Sequence, residues 1–271
     1  MRNLFLGFLF ATIVQAALIA PPFFAWAQAQ TPPTPLPLPS DVELNALVDA
    51  RNWNGLGMAF NKPTDPASFN RGLVWLRNRF FGGGGLMVSL IYARNLWLAG
   101  SQLNTSDPNK DIRLTAGMMA LYTFEQIVID GAKCEDQTAP SRRITQMLTT
   151  NQKAALDFVK QQPNETKLKL VDLAIAFENK TAPLRKDDDL ICRGGMEEMR
   201  VGLERGTQHE LPPDGHYGKN VGVEAPPDWT PKFRSPEIYT PIQESARANM
   251  RAQLLKLVDA APIDQKPADQ K

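Results

Sequence analysis

The chain has 271 residues, of which 43% are hydrophobic, and its 30 Lys and Arg residues almost balance its 29 Asp and Glu residues. A formal net charge of +1 without a basic block does not provide the positive surface that nucleic acids and anionic membranes attract. We therefore exclude nucleic acid as a partner. The length is enough for one sizeable hydrophobic core or two small ones.

The first 27 residues predict a secretory signal peptide. Arg2 supplies a positively charged start, residues 4–14 are largely apolar, and Pro21-Pro22 ends the apolar stretch. Ala25-Trp26-Ala27 is the small-x-small pattern at which signal peptidases cleave. The uninterrupted apolar core is shorter than the roughly 20 residues that a membrane-spanning helix needs.

The site of cleavage follows from two overlapping patterns. Ala27-Gln28-Ala29 repeats the small-x-small triplet two residues later, so we expect the mature protein to begin at Gln28 or Gln30. Arg2 is the only charged residue removed, which leaves 29 basic and 29 acidic residues. The sequence thus predicts an exported protein, periplasmic or secreted, without a membrane span after cleavage.

Residues 28–40 form a proline-rich spacer, and helical patterns then predict one helical domain over residues 41–206. Ser40-Asp41 can cap a first helix that runs to about Phe60, with two glycines as its weak point. Pro66 suits the first turn of a second helix.

The glycine run 82–85 separates the second predicted helix from the most apolar part of the chain. Residues 86–98 are apolar on almost every side, which predicts a helix buried at the centre of a bundle. Another apolar helix is predicted from Asp107 to about Gly131. A turn at 138–141 leads into a helix with apolar residues at helical spacing as far as Val159.

The rest of the chain contains two further predicted helices and a long loop. A helix follows Pro163-Asn164, a charged loop contains 187–189, and a short helix carries Met196, Met199 and Leu203. Residues 207–240 are rich in proline and glycine and are predicted to be a long loop, in which 221–223 fits a short strand. A C-terminal helix over 241–260, packing on the domain, precedes a loose tail at 261–271.

These patterns predict an all-α fold. Paired antiparallel helices joined by short turns are compatible with a single helical bundle or with a short α-solenoid. No fixed repeat of 30 to 45 residues is present, as a helical-repeat array would require. Both architectures remain open at this point.

The two cysteines, Cys134 and Cys192, predict one disulfide, because thiols outside the cytoplasm tend to pair. A reactive or metal-binding thiol pair has less support, since the sequence contains no Cys-x-x-Cys and only two histidines. We count two helices between the cysteines. An antiparallel pair would return the chain to the same end of the bundle and let the two sulfurs meet.

Arg94 and Glu125 are the candidate binding residues, since each lies within a strongly apolar predicted helix. A buried charge must be paired or must reach the surface, so we expect both to be buried and paired with each other or with another charge. The alternative is that they line a polar pocket between helices, where bundles often hold ligands.

Other motifs give weaker hypotheses. The glycine run 82–85 could present amides to an anion, but no Gly-Lys-Ser/Thr follows it, and glycines that permit a sharp turn explain it more simply. His209, Glu210, Asp214 and His216 lack the spacing of a zinc site. We predict no metal site and no cofactor, and no residue is assigned as catalytic.

The sequence contains no motif that is specific to one chemistry. Our leading hypothesis is an exported, soluble helical protein that binds a protein partner or a small ligand without catalysis. The alternative is an enzyme that acts on an envelope or extracellular substrate through carboxylates in a helical cleft.

Overall fold

The computed structural model describes residues 37–61, 65–103, 105, 107, 110–212 and 220–261. The predicted signal peptide, most of the proline-rich spacer and nearly all of the tail lie outside these residues. The described α-helices are α1 (Asp41–Asp49), α2 (Trp53–Asn61), α3 (Pro66–Phe81), α4 (Leu86–Gln102), α5 (Ile112–Gly131), α6 (Thr138–Gln146), α7 (Lys153–Lys160), α8 (Asn164–Thr181), α9 (Asp189–Cys192), α10 (Met196–Arg205) and α11 (Pro236–Leu257).

The described part of the chain also contains shorter elements. A π-helical turn, Met147–Asn151, separates α6 from α7, and a 3-10 turn, Ala182–Leu184, follows α8. The strands β1 (Thr207–Glu210) and β2 (Val221–Glu224) pair in an antiparallel hairpin. The predicted all-α class is confirmed.

Helix α5 is the centre of the fold. Fourteen of its twenty residues are buried, and α4, α6, α7, α8, α9 and α11 all pack against it. The C-terminal helix α11 contacts both α5 and α8, which are distant in sequence. Repeats of a solenoid contact only their neighbours, so these contacts identify a helical bundle.

The first predicted helix is divided into α1 and α2, and the break lies before the two glycines rather than at them. Ala50 ends α1, and Arg51 adopts a φ of 53°, a left-handed conformation that a helix cannot continue through. The start of α3 is as predicted: Asp65 caps it by accepting a hydrogen bond from the amide of Ser68 at 2.9 Å, and Pro66 occupies its first position.

Two predicted boundaries were wrong by several residues. Helix α5 begins at Ile112 rather than at Asp107, because the Asp111 carboxylate caps it by accepting from the amide of Arg113 at 2.9 Å. The segment 138–141, predicted as a turn, is the first turn of α6, in which the Asp136 carboxylate accepts from the Thr138 amide.

The region 207–240 is not a continuous loop among its described residues, since β1 and β2 form the hairpin and the predicted strand at 221–223 is confirmed. The C-terminal helix begins at Pro236 rather than at Pro241, and Pro241 lies inside it. A proline in the second turn removes one helical hydrogen bond, to the carbonyl of Glu237. Both residues are exposed, so water can reach that carbonyl.

The predicted disulfide is present. Cys134 and Cys192 are both buried, their Cα atoms are 5.2 Å apart, and they are separated by 58 positions in sequence. The count of two intervening helices was too low, because a π-helical turn divides the first into α6 and α7. The chain still returns to its starting end, since α6 contacts α9.

No helix in the described ranges combines the length and apolar character that crossing a bilayer requires.

Breaking the disulfide should destabilise the fold. A cross-link that closes a loop of 58 positions should raise the free energy of unfolding by about 4 kcal/mol on the chain-entropy estimate. Urea denaturation of oxidised and reduced protein measures this difference. Reductant should have no effect on the double variant Cys134→Ala/Cys192→Ala. An unchanged unfolding midpoint after complete reduction would contradict the prediction.

Candidate functional site

A groove of about 810 Å³ opens between α2, α4 and the segment that contains α6 and the π-helical turn. We call it the π-turn groove. Its volume is within the range of small-molecule sites, about 300 to 1,000 Å³. Its floor is apolar because α4 contributes Leu86, Leu90 and Ile91 on the side that faces the groove.

The walls combine aromatic rings with flexible thioethers. Trp53 of α2 and Trp97 of α4 line the groove together with Met58, Met87 and Met147. Methionine side chains are unbranched and polarisable, so they adapt to ligands of irregular shape. Trp53 also has a buried Nε1 without a hydrogen-bond acceptor among the described residues.

The π-helical turn forms one edge of the groove. The amide of Gln152 donates to the Met147 carbonyl five residues earlier, at 2.9 Å, and Thr150 and Asn151 line the groove. Thr149 donates its hydroxyl back to a carbonyl in the preceding turn, a bond that bends helices. Such turns are rare and occur frequently at functional sites.

The charges on the groove are of one sign. Arg94 and Arg143 line it, and no described lining residue is acidic. Arg143 donates from Nε to the Leu190 carbonyl at 2.9 Å and from Nη1 to Gln146 Oε1 at 3.0 Å. Burial lowers the pKa of the Arg143 guanidinium, but arginine side chains do not lose their proton in proteins, so the group stays charged.

The structure does not bring Arg94 and Glu125 together. Arg94 is exposed and lines the π-turn groove, so the prediction that it is buried is wrong. Residues on almost every side of α4 are apolar, and the pattern therefore gave no indication of which face is covered. Glu125 is buried, as predicted, at 1% exposure, but neither of its carboxylate oxygens has a hydrogen-bond partner in the described part of the chain.

The buried charges of the core instead meet around Arg185. Its Nε donates to Asp130 Oδ2 at 2.7 Å and its Nη2 to Asp130 Oδ1 at 3.2 Å, so the pair is bidentate. Nη2 also donates to Glu178 Oε1 at 2.7 Å. The side chains of all three residues are at most 7% exposed. We call this group the Arg185 cluster.

Hydroxyl groups and a second arginine complete the Arg185 cluster. Arg185 Nη1 donates to Thr181 Oγ1 at 3.1 Å, and Tyr122 and Thr181 share a hydrogen bond of 2.9 Å between their hydroxyls. Arg247 of α11 donates to both oxygens of Glu178 at 3.2 Å. Two arginines thus balance two carboxylates.

Glu125 lies next to this balanced group as a third acid. Burial, and after it the negative charge of Glu178, raises the pKa of Glu125 to about 9, although Arg185 acts in the opposite direction. At neutral pH the Glu125 side chain is therefore protonated and uncharged. This accounts for a buried carboxyl group without an ion pair.

The glycine run 82–85 precedes the N-terminus of α4, and the chain supplies its own carboxylate there. Asp188 accepts from the Leu86 amide at 2.5 Å and from the Leu190 amide at 3.0 Å. A Cβ at Gly85 would lie 2.4 Å from Asp188 Oδ2. Glycine is therefore required for close approach, and the chain's own carboxylate occupies the place that an external anion would take.

The histidine cluster is only partly described. His209 lies on β1, half exposed, with its Nδ1 4.0 Å from Glu224 Oε1. His216 and Asp214 lie outside the described residues. Within the described ranges no three His, Cys, Asp or Glu side chains are grouped closely enough to hold a metal ion.

Sequence reasoning missed Arg185 and Arg143. Arg185 precedes the acidic run 187–189, and such charged stretches are usually solvated, so the pattern suggested a surface loop. Arg143 lies in a segment that was predicted to follow a turn. No family model, curated protein or solved structure matches this chain, so the function must be inferred from the geometry.

Removing Arg185 should be strongly destabilising. Arg185→Gln leaves Asp130 and Glu178 buried without their main partner, and breaking a buried ion pair in this way costs about 3–5 kcal/mol. Urea denaturation measures the loss. Arg200→Gln is the control, since Arg200 pairs with Glu197 and Glu204 on the surface and should matter much less. Equal losses for both variants would contradict the prediction.

Glu125 should make stability depend on pH. Its folded-state pKa of about 9 exceeds the ordinary value of 4.5, so between these values the folded protein binds more protons than the unfolded chain. The stability therefore falls as pH rises through this window. Glu125→Gln should be increasingly stabilising relative to the wild type, by about 1.4 kcal/mol per pH unit.

Denaturation curves at several pH values between 5 and 8.5 test this. Glu165→Gln removes an exposed carboxylate of α8 and controls for the change in net charge. A difference between Glu125→Gln and the wild type that is constant across the range would show that Glu125 is ionised in the folded protein.

Proposed function

We propose that this chain is an exported protein that binds a small ligand in the π-turn groove without catalysing a reaction. The observation that carries the proposal is the groove itself: apolar and aromatic walls, a π-helical turn at one edge, and a few hydrogen-bond donors. Binding sites for small molecules have this composition, since apolar contacts supply affinity and a few polar groups fix orientation.

Two features support export. The first 27 residues have the positively charged start, apolar core and small-x-small triplet of a signal peptide. The disulfide between Cys134 and Cys192 is typical of proteins that function in an oxidising compartment. Both features support a location outside the cytoplasm. They are independent, because the signal-peptide pattern concerns targeting and the disulfide concerns redox chemistry.

The composition of the groove favours binding over catalysis. The described lining residues include no carboxylate, histidine or cysteine, which are the side chains that most acid–base and nucleophilic reactions use. The acids with contrasting environments, Glu125, Glu178 and Asp130, are buried in the core and do not line the groove. The alternative of a carboxylate-dependent enzyme therefore has less support.

Gly57 offers a direct test of the binding site. It lines the groove on α2, and a Cβ built there meets no atom within 4 Å. Gly57→Trp should fill the groove without disturbing the fold. We expect it to weaken binding of Nile red, a neutral dye that fluoresces in apolar surroundings, by about tenfold or more.

Gly57→Ala is the matched control. It should stabilise α2 by about 0.5–1 kcal/mol, since glycine disfavours the helix, and should leave dye binding unchanged because a methyl group occupies little of the groove. Circular dichroism verifies that both variants are folded. Equal dye binding by the wild type and folded Gly57→Trp would refute the groove as the site.

A further inference from the structure

We infer that the ligand of the π-turn groove is a single-chain amphiphile with an anionic head group. This inference rests on the proposed function and specifies its ligand class. It depends on three observations: the sign of the charge on the groove, the hydrogen-bond donors that remain free, and the apolar surface beside them.

Arg143 forms no ion pair among the described residues, and the positive charges of Arg142 and Arg193 act on it as well as two acids. The acids that act on Arg143 include Glu198 and Asp188, and both are already engaged. Glu198 accepts from Arg193 at 3.2 Å and from the amide of Gly194 at 2.5 Å. Asp188 accepts from the two amides at the start of α4 and in α9.

The two arginines retain donors for a ligand. The hydrogen bonds of Arg143 within the described residues use Nε and Nη1 and leave Nη2 free. Arg94 makes no ion pair with any described carboxylate. A guanidinium is planar and matches the oxygens of a carboxylate or phosphate, so this pair selects an anion.

The remaining surface selects an apolar body for that anion. The floor from α4 and the three methionines are apolar, and the rings of Trp53 and Trp97 flank them. A purely polar anion would leave this surface in contact with water, whereas an alkyl chain would cover it. Two cationic side chains and an apolar surface in the same groove together fit an amphiphile.

The test compares ligands that share a ten-carbon chain and differ in the head group. Isothermal titration would use decanoate, decyl phosphate, decyltrimethylammonium and the neutral decyl maltoside, each below its critical micelle concentration. We expect both anions to bind more tightly than the neutral and cationic compounds. The two anionic arms distinguish a carboxylate ligand from a phosphate ligand.

Matched variants assign the preference to the groove. Arg94→Gln should weaken decanoate binding by roughly threefold to tenfold and leave decyl maltoside unchanged. Arg94 is exposed, so the substitution should not affect folding. Arg77→Gln removes the same charge from an exposed position on α3 that does not line the groove, and it should change neither affinity.

The outcomes separate the two proposals. If Nile red binds and Gly57→Trp blocks it, but decanoate binds no better than decyl maltoside or decyltrimethylammonium, the ligand class is overturned and the binding function stands. If Arg94→Gln and Arg77→Gln both keep the preference for anions of the wild type, the assignment of that preference to the π-turn groove is also overturned. If no probe binds the wild type, the proposed function itself fails.

Discussion

Helix α5 can occupy the centre of the bundle because the acids that α5 and α8 bury are neutralised, and two of them, Asp130 and Glu178, pair with Arg185 and Arg247. Asp130 and Glu178 are 2% to 7% exposed at their side chains, and ionised carboxylates cannot remain at such positions without a partner. Glu125 does not obtain a partner and stays protonated instead. The core therefore contains three acids, of which two form ion pairs and the third is protonated.

The segment 182–192 connects this core to the proposed ligand site. Arg185 holds the acids of α5 and α8, Asp188 accepts from the amide at the start of α4, and Leu190 accepts from Arg143. Cys192 then ties the end of the segment to Cys134. The orientation of a groove arginine thus depends on a segment that both the ion cluster and the disulfide restrain.

The helices could be predicted from the sequence wherever one physical signal decided them. Apolar spacing identified the main helices, the glycine run located the start of α4, and the compartment argument paired the cysteines. Prediction failed where the position of a side chain depends on several contacts at once. Because α4 is apolar on almost every side, its sequence did not show that Arg94 lies on an exposed face. Arg185 resembled a solvated loop residue, because its partners are 55 and 7 positions away in sequence. The π-helical turn depends on local back-bonding that composition does not reveal.

The chain is nearly neutral overall, but its charges are balanced differently in the core and in the π-turn groove, and the proposed function rests on this difference. In the core, Arg185 and Arg247 are matched by Asp130 and Glu178. Among the described residues of the π-turn groove, Arg94 and Arg143 have no acid to match them. Pairing in the core serves stability, because buried charges without partners are costly. Arg94 and Arg143 lie beside an apolar surface without a carboxylate partner in the described part of the chain, and an anionic ligand would supply that partner.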